Sequence, residues 1–257
     1  MNAAIELIIN ADDFGYSAPV NEAIVTSFRQ FLINSTSLMA NMPGFEDAIS
    51  RLRTNPFLSN RVGLHLNLTE GYPLSEEIKK CPRFCDPSGA FVFKRRHPMF
   101  FLSAPEQKAV YEEMKAQMEK MIRAGIYPTH LDSHHHVHTE WAIVKLVTRL
   151  GREYGVPRIR LTRNMGLQRG YTKMIYKRML NRWLKRLVGI TSTDYFGDTD
   201  DLSFMMRTRP PAGKSVEIMV HPKLNERGEL VDNDQQDLQR KLIPIINDRN
   251  TISYADI

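Results

Sequence analysis

The sequence predicts an α/β protein built as one (β/α) barrel of seven to eight parallel strands spanning residues 1–257. Three observations carry that expectation. Short β-branched runs alternate with helical patterns along the whole chain, the signature of repeated βα units. The runs are almost wholly apolar, as strands covered on both faces must be. Ionisable residues also stand at the ends of four runs far apart in sequence, and a barrel gathers such ends around one mouth.

Ile5–Asn10 is the first run, and Asp12 and Asp13 follow it. A helix over Pro19–Gln30 starts at Ser17, whose hydroxyl suits an N-cap, with Pro19 tolerated in the first turn. Ser35–Met39 reads as a strand, Phe45–Arg53 as a helix and Val62–Asn67 as a third strand. Residues 68–104 break the rhythm with Gly71, Pro73, Pro82, Pro87, Gly89 and Pro98, and read as an insertion facing substrate. Ser103 and Pro105 then open a helix whose Val110, Met114, Met118 and Met121 share a face, and Gly125 ends it. Thr129–Asp132 is the fourth strand, and Trp141, Val144, Val147 and Leu150 mark the next helix. Arg158–Leu161, Ser192–Phe196 and Val216–Val220 are strands five to seven. Helices are expected at 171–188, 200–207 and 233–247, and Thr251–Ser253 is a candidate eighth strand.

Composition is that of a soluble globular chain, 42% hydrophobic and 25% charged. No apolar run approaches a membrane span, and the first residues lack a basic segment and cleavage pattern, so a cytoplasmic protein with no membrane partner is expected. Cys81 and Cys85 match no common zinc or redox spacing, which agrees with a reducing compartment. Net charge is +6, but residues 149–186 hold twelve Lys and Arg against Glu153 alone. Because Tyr171, Ile175, Leu180, Leu184 and Leu187 recur there at helical spacing, the segment reads as a packed amphipathic helix; no nucleic-acid partner is expected, and a homodimer contact is open.

The densest chemistry lies in Thr129-His130-Leu131-Asp132-Ser133-His134-His135-His136-Val137-His138, with five of eight histidines in nine residues. Imidazole is the commonest transition-metal ligand, and on an extended chain His134, His136 and His138 would face one centre. Asp12 and Asp13 after the first strand, His65 at the third and His221 at the seventh supply the other groups. One carboxylate with two imidazoles and open positions is a common catalytic arrangement for a divalent metal. A second carboxylate beside it can take a proton from water, and a histidine opposite can return one to a leaving group. The chain has no Gly-x-Ser-x-Gly elbow, Walker loop or dinucleotide fingerprint.

Asn10-Ala11-Asp12-Asp13-Phe14-Gly15, Gly63-Leu64-His65-Leu66-Asn67-Leu68-Thr69, the His-rich tract and Glu217-Ile218-Met219-Val220-His221-Pro222 together resemble the YdjC-like carbohydrate deacetylases. That group contains diacetylchitobiose deacetylases and hopanoid-associated relatives. The resemblance implies a distorted (β/α) barrel of the glycoside hydrolase/deacetylase type that removes acetyl groups from N-acetylated mono- or oligosaccharides. It implies a divalent ion, Mg2+ by family usage, although two imidazoles suit Zn2+, Co2+ or Ni2+ better. On matching positions, Asp13, His65 and His134 are the implied ligands, Asp12 the general base and His221 the acid. Asp132 and His136 are implied supports for the ligands, and Arg160 a partner of Asp12 or of substrate. Lys223 departs from the family's usual Gly after His-Pro. The alternatives are hydrolysis of another amide or a phosphoester at the same metal, and a non-enzymatic sugar- or nucleic-acid-binding protein.

Overall fold

The computed structural model describes residues 5–93, 99–166, 170–208, 211–247 and 249–257. Residues 94–98 of the insertion, 167–169 of the basic segment and the first four residues, where a leader was sought, lie outside the described residues. In chain order the elements are β1 (Glu6–Phe14), α1 (Ala18–Arg29), β2 (Ser35–Leu38), α2 (Phe45–Thr54), β3 (Val62–Leu66), α3 (Glu76–Lys79), α4 (Ala104–Arg123), β4 (Leu131–Ser133) and α5 (Trp141–Glu153). They continue with α6 (Tyr171–Arg186), β5 (Tyr195–Gly197), α7 (Thr199–Thr208), β6 (Ser215–Val220), β7 (Lys223–Leu224), β8 (Leu230–Val231), α8 (Leu238–Ile246) and β9 (Asn250–Thr251).

The main sheet runs β4-β3-β2-β1-β6-β5, every pair parallel, and β9 pairs with the first residues of β1. Single parallel bridges, Leu131 to Ile159 and Arg158 to Thr191, carry pairing from β4 towards the stretch that leads into β5. The sheet therefore curls round as a distorted (β/α) barrel flanked by helices. Leu7, Ile8, Ile9 and Ala11 of β1 are buried on both faces, which is why the strand reads as continuously apolar. Each such aliphatic side chain contributes about 1.5–3 kcal/mol by leaving water.

Local chemistry starts the helices as the residue types predict. Ser17 accepts the Val20 N–H ahead of α1. Ser103 and Glu106 form a reciprocal capping box ahead of α4. On the inner side of α4, Val110, Met114, Met118 and Met121 pack into the core. Two polar residues on the same helix reach out of that layer. The Glu113 carboxylate accepts the N–H groups of Leu74 and Ser75, and Gln117 bonds both ways with the Asn67 backbone. They hold down the loop after β3. Further along the insertion, Ile78, Phe84, Cys85 and Phe91 join the main hydrophobic cluster. Cys81 and Cys85 are free thiols.

Three expectations about the elements need correction, and one element is new. Asp12 and Asp13 belong to β1, which runs to Phe14, because its ladder with β2 resumes at Phe14–Leu38 after an irregularity. Arg158–Leu161 contributes single bridges and no named strand. The last helix starts at Leu238, capped by Asp237, since 233–237 forms a turn. An antiparallel β7–β8 hairpin after His221 was not foreseen. Among the described residues no helix is long and apolar enough to cross a membrane.

Candidate active site

The carboxyl end of β1 carries the first two groups. In a regular strand Asp12 and Asp13 would point to opposite faces. Between Ala11 and Phe14 the register shifts and Asp13 takes a left-handed conformation, φ 69°. Such bulges re-aim side chains, and here both carboxylates serve one site. Asp12 is 2% exposed and faces Arg160; Asp13 faces His65 and His134.

Neighbouring strands supply the imidazoles. His65 of β3 lies in register with Asp132 of β4, and its Nδ1 is 2.8 Å from Asp132 Oδ1. Ser37 of β2 donates to Asp132 Oδ2 at 2.8 Å and lies 3.0 Å from the same His65 nitrogen. His65 Nε2 then faces Asp13 Oδ1 at 3.2 Å. His134 follows β4; its Nδ1 is 2.7 Å from Asp13 Oδ1 and its Nε2 is 2.9 Å from Glu70 Oε2. Glu70 is placed by an Asn67 turn, in which Asn67 Oδ1 accepts the Thr69 and Glu70 N–H groups, and Tyr16 donates to its other oxygen.

The His-rich tract does not continue as an extended strand. Residues His134–Thr139 form a 3-10 turn, with His135 and His136 both left-handed at φ 51° and 55°. Among the described residues His134 forms no ligand cluster with His136 or His138, contrary to the expectation that the three share a centre, while the His136 and His138 rings meet edge to face at 6.3 Å. The His136 ring packs edge-on against Phe196, and His138 Nδ1 lies 2.6 Å from Ser133 Oγ.

Arg160 organises the interior. Its Nη1 and Nη2 form a fork on both oxygens of Asp12, each at 2.7 Å. Nη1 also meets Asp132 at 2.8 Å, and Nε donates to Glu217 at 2.7 Å. The guanidinium lies over the Phe196 ring. Burial pulls the Arg160 pKa down, but the charges of Asp12, Asp132 and Glu217 outweigh it and hold the pKa well above the ordinary value. Asp132 is conversely raised by burial and lowered further by Arg160 and His65, so it stays ionised. Burial pushes Glu217 up to about 7, against the pull of Arg160 and the Tyr254 hydroxyl. His221, at the end of β6, places Nε2 4.0 Å from Asp12 Oδ2, and its N–H donates to Asp232 next to the hairpin.

Among the described residues, three groups of side chains have ligand atoms within 4.8 Å of one another: Asp13–His65–His134, Glu70–His134–His135 and Asp12–His65–Asp132. In the last, the Arg160 guanidinium already occupies both carboxylates, which leaves a cation no place. The first fits a divalent ion. Each of its imidazoles has a carboxylate on its far nitrogen, Asp132 for His65 and Glu70 for His134. With those nitrogens protonated, the near nitrogens aim lone pairs at a carboxylate oxygen, an arrangement that needs a cation or protons between. Protons can serve: burial lowers His65, yet the Asp132 charge and bonds to Asp13 and Asp132 outweigh it and hold the pKa at about 10. Burial raises Asp13, but bonds to His134 and His65 hold it well below the carboxylate range.

Asp12, Asp13, His65, Asp132, His134, Arg160 and His221 thus share one site, and His136 packs against the Phe196 ring instead. Glu70, Ser37, Glu217 and Tyr254 were missed by sequence reasoning. Asn67-x-Thr-Glu is a turn signal that marks Glu70, and a glutamate inside the apolar Val216–Val220 run marks Glu217.

A parallel, curled β/α barrel with a carboxylate–imidazole cluster at its strand ends defines the class. The chain belongs to the YdjC-like protein family, whose model matches residues 6–251. It is similar to a carbohydrate deacetylase of Brevibacillus brevis, 42% identical over 60% of this chain and 58% of that protein. It is also similar to one of Geobacillus stearothermophilus, 34% identical over 84% of this chain and 78% of that one. The chain thus spans under two thirds of the Brevibacillus relative's length and over three quarters of the Geobacillus relative's. A crystal structure of a candidate cellobiose-phosphate cleavage protein from Enterococcus faecalis V583 shares the fold, with TM-score 0.72, 22% identity and 99% of each chain covered.

Proposed function

We propose that the chain is a metal-dependent hydrolase that removes acetyl groups from N-acetylated mono- or oligosaccharides. The observation that carries this reading is the convergence of Asp12, Asp13, His65, His134 and His221 from four distant parts of the sequence. Membership of the family and likeness to carbohydrate deacetylases support the substrate class.

Asp13, His65 and His134 would hold the ion. When bound, a divalent cation supplies Lewis acidity to the acetyl carbonyl and makes a nearby water more acidic. The Asp12 carboxylate, aimed by the Arg160 fork, accepts a proton from the attacking water as the water's oxygen bonds to the carbonyl carbon. His221, whose Nε2 lies 4.0 Å from Asp12 Oδ2, gives a proton to the sugar nitrogen as the C–N bond breaks, releasing acetate and a free amine. Asp132 orients His65, and Glu70 orients His134. Mg2+ follows family usage, and the two imidazoles favour Zn2+, Co2+ or Ni2+.

The test is acetate and amine release from N-acetylglucosamine and diacetylchitobiose, with each of these metals added to chelated protein. Release that depends on metal and is lost in Asp12→Asn is expected. Turnover indifferent to chelation, or a phosphoester hydrolysed where no acetylated sugar is, overturns the reading.

A further inference from the structure

Asp12 is held by Arg160, and Arg160 is itself held from behind. Of its five N–H donors, two go to Asp12 and one, Nε–H, to Glu217 Oε1 at 2.7 Å, while Nη1 is also ion-paired with Asp132 at 2.8 Å. The second oxygen of Glu217 accepts the Tyr254 hydroxyl. Glu217, Arg160 and Tyr254 are all 1% exposed or less. Tyr254 belongs to a 3-10 turn (Tyr254–Asp256) fixed by a Ser253–Asp256 capping box. Arg158, two residues before Arg160, donates to the carbonyls of Ala255 and Ile257. The Tyr254 ring stacks on His130 at 3.7 Å between centroids.

We infer that Tyr254 and Glu217 are positioning residues for the reaction: through the Arg160 Nε–H they fix the angle of the guanidinium, and so the aim of the Asp12 carboxylate. This rests on the proposed role of Asp12 as base. A bidentate fork transmits orientation because the guanidinium is planar, so rotating it about Nε swings both Asp12 bonds together. A buried glutamate in an apolar strand needs partners for both oxygens, and Arg160 and Tyr254 provide them. Burial and the Glu217 charge keep the Tyr254 phenol protonated, as a donor must be. Tyr254, far in sequence from Asp12 and Arg160, thereby takes part in positioning the proposed base.

Tyr254→Phe keeps the stacked ring and removes only the hydroxyl. We expect kcat for acetate release from diacetylchitobiose to fall about tenfold with KM within twofold, as for a group acting on transition-state alignment. In an Arg160→Lys background the same substitution is expected to cost almost nothing further, because its route to Asp12 is gone. An equal loss in both backgrounds means a merely structural tyrosine and overturns the inference. A readout independent of turnover is the Arg160 Nε–H resonance in 15N-arginine-labelled full-length protein. Tyr254→Phe should shift it and speed its solvent exchange at least about tenfold; an unchanged resonance overturns the inference even if Arg160→Lys does not fold. Asp12→Asn tells the two failures apart. If it leaves acetate release intact, the base reading falls. If it abolishes release while Tyr254→Phe alters neither kcat nor the resonance, only the positioning role falls.

Discussion

His65 on β3 and His130 just before the adjoining β4 are both buried imidazoles, yet they stand at opposite extremes of protonation. His65, towards the mouth, is held at about 10; His130, in the layer beneath, is pushed down to about 3. Burial acts on both in the same direction, against charge. The difference lies in partners. His65 has Asp132 on one nitrogen and Asp13 on the other. His130 meets the Thr129 hydroxyl and the face of Tyr254, and feels the positive charges of Arg160 and His65 against those of Asp132 and Asp12. One region is built to hold charge and the other to exclude it.

The sharpest way to break the comparison is at the mouth. Asp12→Asn keeps the shape and removes the proton acceptor, so acetate release is expected to fall by roughly 10²–10⁴. Asp132→Asn is the next step down. Losing the charge behind His65 should weaken metal binding about 10–100-fold, read by titration of chelated protein with Zn2+, while the fold stays intact. Metal affinity unchanged in Asp132→Asn would mean that His65 does not depend on its far-side carboxylate.

The strands and the candidate site residues at their ends were legible in the sequence, and the contrast with His130 was not, for reasons that differ by residue. Short β-branched and continuous apolar runs gave the strands, and polar residues at their ends gave the candidates Asp12, Asp13, His65, His134 and His221, because those signals are local. The bulge that lets adjacent aspartates serve one site left no periodic trace; Asp13 in a left-handed conformation is visible only in three dimensions. The His-rich tract misled for the same reason, since two consecutive left-handed residues undo the alternation that an extended chain would give. Tyr254 was invisible because its partners, Glu217 and His130, lie 37 and 124 positions away. Arg158–Leu161 read as a full strand because its apolar content is right, while its pairing amounts to single bridges.

The lower layer can be broken by size. A Cβ on Gly63 would lie 2.3–2.5 Å from three atoms of the His130 ring, which is sandwiched against Tyr254 and cannot retreat freely. Gly63→Ala is therefore expected to destabilise by about 1–3 kcal/mol, the range for overpacking a filled core. Chemical denaturation checks it, and a midpoint equal to that of the wild type would show that the stack yields easily.

The smallest effect probes the charge difference itself. A histidine whose folded pKa is depressed adds stability that is complete above its unfolded value and is lost as pH falls towards the folded one. For His130 the window runs from about 6.5 down to about 3. One unit below the unfolded value the loss is about 1 kcal/mol, because the unfolded chain already binds the proton that the folded one refuses. The groups facing His130 are Thr129, Tyr254, Arg160, His65, Asp132 and Asp12, and the carboxylates among them act against the burial that lowers it. Replacing it with glutamine removes its titration while leaving theirs. The difference in stability between wild type and His130→Gln should shrink steadily as pH is lowered from 6.5 to 4.5. A difference that stays constant across that range would show that His130 takes up its proton in the folded state, and the lower layer would then hold charge as the mouth does.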